Sequence, residues 1–191
     1  MSKMKLKKYL KDLDKSDIIK IFLDVYSKNK DAKEYLNYLV EPNEEEQFEK
    51  AKKIIKNEYF PERGLPKTRL SVAKKAIRDF SRLNPSPELE AELMLFLVEQ
   101  GCELIESFGM EDNSYYIGMI NNYEKALDFM DKNNLLKKFQ ARAERCTQIA
   151  SEHVFFFGEE LYDLFIDFYT QILIDDEISD KNNFNRRIKL E

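Results

Sequence analysis

The stretch that decides the fold is ELEAELMLFLVEQGCELIESF, residues 88–108, directly after Pro87. Its glutamates fall on one narrow stripe of a helical wheel: Glu88, Glu92, Glu99, Glu103 and Glu106. The rest of the wheel is almost entirely apolar, and so wide an apolar arc predicts a helix that is buried on several sides. At about 1.5 Å per residue the helix would be about 30 Å long, the width of a small domain. We therefore expect it to be the central helix of an all-α protein.

The remaining sequence predicts further helices with short connections, about nine in all, and no strand pattern. Glycine and proline number five each, which argues against a strand-and-turn fold. Short connections favour antiparallel neighbours, so we expect an irregular array of helical hairpins around 88–108. The predicted ranges are 3–13, 17–29, 32–40, 43–59, 68–83, 115–132, 135–149 and 159–174, with a short aromatic segment, 151–157, that ends at Gly158.

A tetratricopeptide-like repeat is an alternative arrangement of the same helices. The spacing of Ala73, Ile77, Phe80 and Pro85 matches the second helix of such a repeat. A consistent period is missing from the rest of the chain, which favours the irregular array.

The predicted domain organisation is a single helical domain, residues 1–174, and a polar C-terminal tail, residues 175–191. The connector 60–67, FPERGLPK, is the one segment of the first half that is rich in proline and glycine. It is therefore the candidate sub-boundary within the domain.

Charge and hydropathy predict a cytoplasmic protein. The apolar run 93–98 is too short to cross a bilayer, and the N-terminal MSKMKLKKYL lacks the apolar core of a secretory signal. In the cytoplasm Cys102 and Cys146 stay reduced, as small apolar residues of the core. The net charge of −5 is unevenly distributed: residues 1–90 hold 21 Lys and Arg against 16 Asp and Glu, and residues 91–191 hold 10 against 20. The two halves therefore attract each other or face different partners.

Several chemistries are excluded or disfavoured by the residue types present. A Gly-rich phosphate loop is absent from the sequence, and one histidine with two distant cysteines does not make a zinc site. Glu99, Glu103 and Glu106 have helical spacing but lack the Glu-x-x-His pairs of a di-iron centre. We therefore expect no metal, no cofactor and no assembled catalytic group.

Two single residues, His153 and Cys146, are candidates for a reactive group. His153 precedes three phenylalanines and is expected to be a packed or capping residue, because a general base needs a positioned partner. Cys146 follows Arg142 and Arg145, which could lower the pKa of a thiol, but its place on an apolar stripe favours a core residue over a nucleophile.

The basic face of the predicted helix 68–83 is the sharpest functional feature of the sequence. Its cations, with those just upstream, are candidates for contact with a protein partner or with phosphates: Arg63, Lys67, Lys74, Lys75, Arg78 and Arg82. An acidic stripe on the central helix is the candidate counterpart: Glu92, Glu99, Glu103 and Glu106. The two sets could also pair with each other inside the protein or remain solvated.

Four segments of the sequence carry a family resemblance that extends over most of residues 4–170: LKKYLKDLDKSDIIKIFLDVY, AKEYL, RLSVAKKAIRDF and ELEAELMLFLVEQGCE. In these segments the sequence resembles an uncharacterised bacterial family of all-helical cytosolic proteins, a domain of unknown function. The resemblance implies a bacterial, cytosolic, helical protein and brings no activity, cofactor or catalytic residue.

These observations favour a non-enzymatic module that binds another protein. The alternative is a nucleic-acid-associated protein that uses the basic face within 63–82, although a sequence pI of about 5.2 disfavours it. A third hypothesis is an unrecognised enzyme with its site in a helical cleft.

Overall fold

The computed structural model describes the backbone of residues 2–109 and 112–188, and the side chains of this part of the chain up to Ile174. Nine α-helices and no strand occupy these residues, which confirms the predicted all-α fold. The helices are α1 (Lys3–Lys11), α2 (Lys15–Lys28), α3 (Lys30–Val40), α4 (Glu44–Tyr59), α5 (Leu70–Ser81), α6 (Pro87–Phe108), α7 (Asn113–Lys132), α8 (Leu136–His153) and α9 (Phe155–Ile188).

Helix α6 has the position that its sequence predicts. Pro87 begins the helix, where its fixed φ angle fits and its missing N–H costs nothing. Glu88 and Glu90 lie in the first turn, where the helix dipole favours negative charge. The helix ends at Gly109, whose φ of 68° suits glycine.

The hydrophobic core is built around α6. This helix packs against α5, α7 and α8, while α9 packs against α7 and α8. Leu93 and Leu97 are fully buried and Ile105 is 1% exposed, as the apolar arc predicts. The buried apolar residues of α6 are Ala91, Leu93, Leu95, Leu97, Val98, Cys102, Leu104 and Ile105.

The chain divides into two compact units, residues 1–46 and residues 47–191. This division lies before the connector 60–67, where the sequence places a sub-boundary. That residues 1–174 behave as a single domain stays a prediction. The side chains of the predicted polar tail, 175–191, lie outside the described part of the chain. The described backbone of this segment is helical as far as Ile188.

The first unit has no buried side chain in any of its helices α1, α2 and α3. Helices α2 and α3 pack on each other, and the Tyr26 hydroxyl donates a hydrogen bond to the Asn37 side-chain oxygen over 3.0 Å. Apolar side chains of this hairpin are nevertheless open, with Leu23 62% and Leu39 61% exposed. All the buried apolar residues of the described chain belong to the second unit, between Phe48 and Tyr169.

The predicted helix end at Gly158 is wrong. Helix α8 continues to His153, the chain turns at the extended Val154, and α9 then begins at Phe155. A Cβ atom on Gly158 would come within 2.4 Å of the Ser151 Cα atom. Glycine is therefore needed here because α9 approaches the end of α8 closely, and it does not terminate a helix.

No helix among the described residues is both long enough and apolar enough to span a bilayer.

Two leucine substitutions separate the contributions of the two units to stability. We expect Leu93→Ala to lower the free energy of unfolding by about 2–5 kcal/mol, because it empties a fully buried site. Leu23→Ala removes the same atoms from an exposed site, so it should change the free energy of unfolding by no more than about 0.5 kcal/mol. Urea denaturation followed by circular dichroism measures both. Equal losses in the two variants would contradict the assignment of the core to the second unit.

Candidate functional site

Two predicted acids of the central helix are neutralised inside the protein. Arg142 of α8 holds the Glu99 carboxylate in a fork, with Nε to Oε1 and Nη2 to Oε2 both at 2.7 Å. Its third nitrogen, Nη1, pairs with Glu92, which also lies 3.5 Å from the Lys52 ammonium. The Glu92 and Glu99 side chains are only 19% and 20% exposed. This cluster, Lys52–Glu92–Arg142–Glu99, fixes α4 and α8 against α6.

The titration of Glu92 reflects these partners. Burial by itself raises the pKa of Glu92, but the hydrogen bond and charge of Arg142, with the charge of Lys52, outweigh burial and leave the pKa below its ordinary value. The fork with Glu99 is the main reason that the pKa of Arg142 is raised. Glu92 and Glu99 are therefore occupied, and the acidic stripe that is open to a partner is reduced to its C-terminal part.

The C-terminal acids of the stripe are exposed. Glu103 accepts a hydrogen bond of 2.7 Å from the Gln100 amide, and both line a groove of about 540 Å³ between α4 and α6, the α4–α6 groove. Three lysines and the acids Glu49 and Glu103 line this groove, so its charges are nearly balanced. Glu106 is exposed on the next turn.

A second groove, of about 300 Å³, lies between α5 and α7 with α6 as its floor; we call it the α5–α7 groove. Its apolar surface comes from half-buried side chains, chiefly Ile77 of α5, Met94 of α6 and Phe129 of α7. The full set of lining residues is Lys74, Ile77, Arg78, Ser81, Glu90, Met94, Leu97, Asn122, Lys125 and Phe129.

Helices α5 and α7 approach each other closely near the N-terminal ends of both helices, outside the lining of the α5–α7 groove. A Cβ atom on Gly118 of α7 would come within 2.8 Å of the Leu70 Cδ2 atom at the start of α5. The lining residues run from Lys74 to Ser81 on α5, from Glu90 to Leu97 on α6 and from Asn122 to Phe129 on α7. On each helix they extend over eight residues, a rise of about 10 Å or two helical turns.

Three cations rim the α5–α7 groove: Lys74 and Arg78 on α5, and Lys125 on α7. All three are exposed, and none has an ion-pair partner in the part of the chain that the structure describes. Two of them, Lys74 and Arg78, belong to the predicted basic face. An apolar floor beside unpaired cations favours a ligand that is both apolar and anionic.

The other residues of the predicted basic face lie elsewhere. Lys75 of α5 and Arg82, the residue directly after α5, both pair with Asp79. Arg63 and Lys67 line a groove of about 360 Å³ with Lys53, which we call the connector groove. The structure thus separates the six predicted cations into two grooves and one cluster around Asp79, and Glu92 and Glu99 of α6 pair with Arg142 and Lys52 instead of with them.

An ion pair between the buried Glu58 and the exposed Arg69 lies beside the connector groove. The Arg69 guanidinium holds the Glu58 carboxylate with Nη2 to Oε1 at 2.7 Å and Nε to Oε2 at 2.9 Å, and the hydrogen bond to Arg69 is the main reason that the pKa of Glu58 is lowered. The backbone N–H groups of Lys67 and Thr68 donate to the Glu58 carbonyl oxygen. Glu58 is therefore satisfied, and the groove presents mainly the positive charges of Lys53, Arg63 and Lys67.

The candidate reactive residues, Cys146 and His153, do not lie beside a catalytic partner in an accessible site. Cys102 and Cys146 are free and buried, and the Cys102 thiol lies 3.7 Å from the Cys146 carbonyl oxygen. Contact with Cys102 and burial raise the pKa of Cys146 and outweigh the charge of Arg142. The thiol is buried, which confirms the core residue that its apolar stripe predicts. His153 lies exposed in the last turn of α8, so of its two predicted roles packing is wrong and capping stays a prediction. Among the described residues no cluster of metal-ligating side chains is found.

Sequence reasoning missed the α6–α8 ion pairs and the α7 wall of the groove. Arg142 lies 43 residues from Glu99 along the chain, and local spacing does not reveal such a pair. Asn122, Lys125 and Phe129 had a usable signal. They are spaced three and four residues apart on a second face of α7, away from the stripe of Met119, Tyr123 and Met130.

Comparison with protein families assigns the chain to a family. A model described as a family of unknown function, DUF6155, matches residues 1–170. The chain belongs to this family. The match confirms that the protein is a member of an uncharacterised family, as its helical segments predict. No curated protein and no solved structure matches the chain.

The Arg142 cluster predicts a stability loss that depends on pH. We expect Arg142→Met to lower the free energy of unfolding at neutral pH by about 2 kcal/mol, between the values for exposed and fully buried pairs. Because the folded pKa of Glu92 is lowered, its stabilisation is present at neutral pH and is lost as the pH falls below about 4.5. The difference between wild type and variant should therefore shrink towards about pH 3.

Arg145→Met is the matched control, because Arg145 lies on the same helix and is exposed. Its effect should stay within about 0.5 kcal/mol at every pH. Denaturant titrations between pH 3 and pH 7 measure both variants. Equal stabilities of the two variants at neutral pH would show that the cluster does not hold the helices together.

Proposed function

We propose that this protein is a non-enzymatic interaction module that binds an acidic, amphipathic segment of another protein in the α5–α7 groove. One observation supports this function above the others: Ile77, Met94 and Phe129 form a half-buried apolar floor beside three unpaired cations. Apolar surface gains free energy when a partner covers it, and unpaired cations favour carboxylates at its edge.

The dimensions of the groove suit a short helical segment. Its linings extend over about 10 Å, which is two turns of a helix. Its volume of about 300 Å³ is near the lower end for ligand sites, so it has room for a few side chains of a partner. A helix that places apolar residues in the groove and carboxylates along its flank uses a common mode of peptide recognition.

The placement of the reactive side chains supports a binding function over catalysis. A nucleophile or general base needs a partner within hydrogen-bond reach in an accessible site. Cys102 and Cys146 are buried, and His153 is exposed at a helix end, outside all three described grooves.

A defined peptide tests the proposed function directly. The probe is a fluorescein-labelled helix of about 15 residues with leucines one turn apart and glutamates one turn apart. We expect it to bind, and we expect Phe129→Ala to weaken binding about tenfold by removing part of the floor. Arg78→Gln should also weaken it, more strongly at low salt. Fluorescence anisotropy measures the affinities.

Arg145→Gln and a peptide with glutamine in place of glutamate are the matched controls. The first should bind as wild type does, because Arg145 lies on α8 outside the groove. The second should bind more weakly to the wild type. If Phe129→Ala and Arg78→Gln bind the acidic peptide as tightly as Arg145→Gln, the groove is not the binding site.

A nucleic-acid-associated function is the second candidate, and the connector groove favours it. Lys53, Arg63 and Lys67 line that groove, and none has a salt-bridge partner among the described residues. Such a cluster can neutralise phosphates without reading bases. The net charge of −5 opposes the approach of a polyanion, which is why this candidate stands second.

Salt dependence distinguishes this candidate from peptide binding. If it is correct, single-stranded nucleic acid binds at low salt, and Arg63→Gln with Lys67→Gln reduces the slope of log affinity against log salt by about 0.7 for each lost phosphate contact. Gel shifts at several salt concentrations measure the slope. Absence of a shift at about 50 mM salt would end this candidate.

We also propose a bacterial origin and a cytoplasmic location. The family resemblance supports the first, and two free cysteines are compatible with a reducing compartment. Similarity to tetratricopeptide repeats stays a prediction, and the proposed groove does not depend on it.

A further inference from the structure

The outer face of α9 has the two properties that we expect of a partner for the α5–α7 groove, which are apolar side chains and a row of carboxylates beside them. Tyr162 is 52% exposed and Ile166 is half-buried, and the two lie one turn apart on the same face. Beside them runs a line of exposed carboxylates at the same spacing: Glu159, Asp163 and Asp167. None of these three acids has an ion-pair partner in the part of the chain that the structure describes. We call Glu159–Asp167 the α9 acidic face.

The spacing of this face matches the rim of the groove. Lys74 and Arg78 lie one turn apart on α5, a rise of about 6 Å. Glu159 and Asp163 are separated by the same rise on α9. Tyr162 and Ile166 span one turn, which fits within the two-turn length of the apolar floor.

The charges agree as well. The groove has Lys74, Arg78 and Lys125 against the single acid Glu90, whereas the α9 acidic face has only acids. Opposite potentials on two surfaces steer association and fix its register. Within one chain the α9 acidic face is open to solvent, so it does not fill the groove of its own chain.

We propose that the α9 acidic face of one copy of this protein docks into the α5–α7 groove of a second copy. Glu159 and Asp163 face Lys74 and Arg78 in this contact. Tyr162 and Ile166 lie on the floor of Ile77, Met94 and Phe129. This inference rests on the proposed function and names the partner of the same groove.

The contact joins two different surfaces. When both copies exchange faces, the result is an isologous pair with two-fold symmetry. Otherwise the contact is heterologous and continues into a ring or an open chain. Because exposed charges contribute, association weakens as salt rises.

Sedimentation velocity of the full chain tests the proposal. We expect association that grows with protein concentration and that weakens between about 50 mM and about 500 mM salt. Arg78→Glu reverses one charge at the rim of the α5–α7 groove, and Asp163→Lys reverses one charge on the α9 acidic face. Each alone should raise the concentration needed for association by about tenfold or more, because like charges then meet.

Mixing the two variants gives the decisive result. In the mixture, Glu at position 78 of one variant faces Lys at position 163 of the other, and the native groove of the second variant faces the native α9 acidic face of the first. Both contacts then join opposite charges, so association should occur at near the wild-type concentration. Arg145→Glu and Glu152→Lys make the same charge changes at exposed positions of α8 and should associate as wild type does. A mixture that remains as dissociated as its components would overturn the proposal.

Two further outcomes separate this inference from the proposed function. If the wild-type chain stays monomeric at all concentrations while the labelled acidic peptide binds, the second copy is not the occupant and the binding function stands. If the chain associates but Arg78→Glu and Asp163→Lys leave association unchanged, the contact uses other surfaces and the proposal is wrong.

Discussion

The burial of α6 on several sides is the constraint on which the rest of the second unit depends. A helix that contacts α5, α7 and α8 has little surface left for charge, yet α6 has glutamates along one side. Where that side turns inward, at Glu92 and Glu99, an uncompensated carboxylate would be costly. Arg142 removes this cost by engaging both acids, and Lys52 adds a second cation from α4. The ion pairs therefore make the burial of α6 possible and also hold two neighbouring helices against it.

The grooves follow from what the neighbours of α6 leave uncovered. Met94 and Phe96 are half-buried, two residues apart, and project from different sides of the helix. Met94 becomes part of the floor of the α5–α7 groove, whereas Phe96 lines the α4–α6 groove beside the Lys52 ammonium, 4.9 Å from its ring centre. The two grooves differ in charge because the α4–α6 groove has acids of its own and the α5–α7 groove is rimmed mainly by cations. That difference is why we assign binding to the α5–α7 groove.

Much of the fold was predictable because its signals are local. The α6 stretch has a proline at its start, acids in its first turn, a wide apolar arc and a glycine after its end, and each of these acts within a few residues. The prediction at Gly158 was wrong because it also used a local signal, in which a glycine inside a helical pattern indicates the end of a helix. In the structure this glycine allows α9 to pack closely against Ser151, and sequence spacing does not indicate that contact. The basic face of α5 was predictable, whereas the division of its cations was not. Whether a lysine is paired, as Lys75 is, or open, as Lys74 is, depends on neighbours in space as well as in sequence.

The central claim is that α6 is the most deeply buried part of the molecule and that the first unit adds little to its stability. Native-state amide hydrogen exchange tests this claim residue by residue. We expect the amides of residues 93–105 to exchange last, with protection equal to the free energy of global unfolding. The amides of α1, α2 and α3 should exchange orders of magnitude faster through local opening. Exchange in residues 93–105 as fast as in α2 and α3 would contradict it.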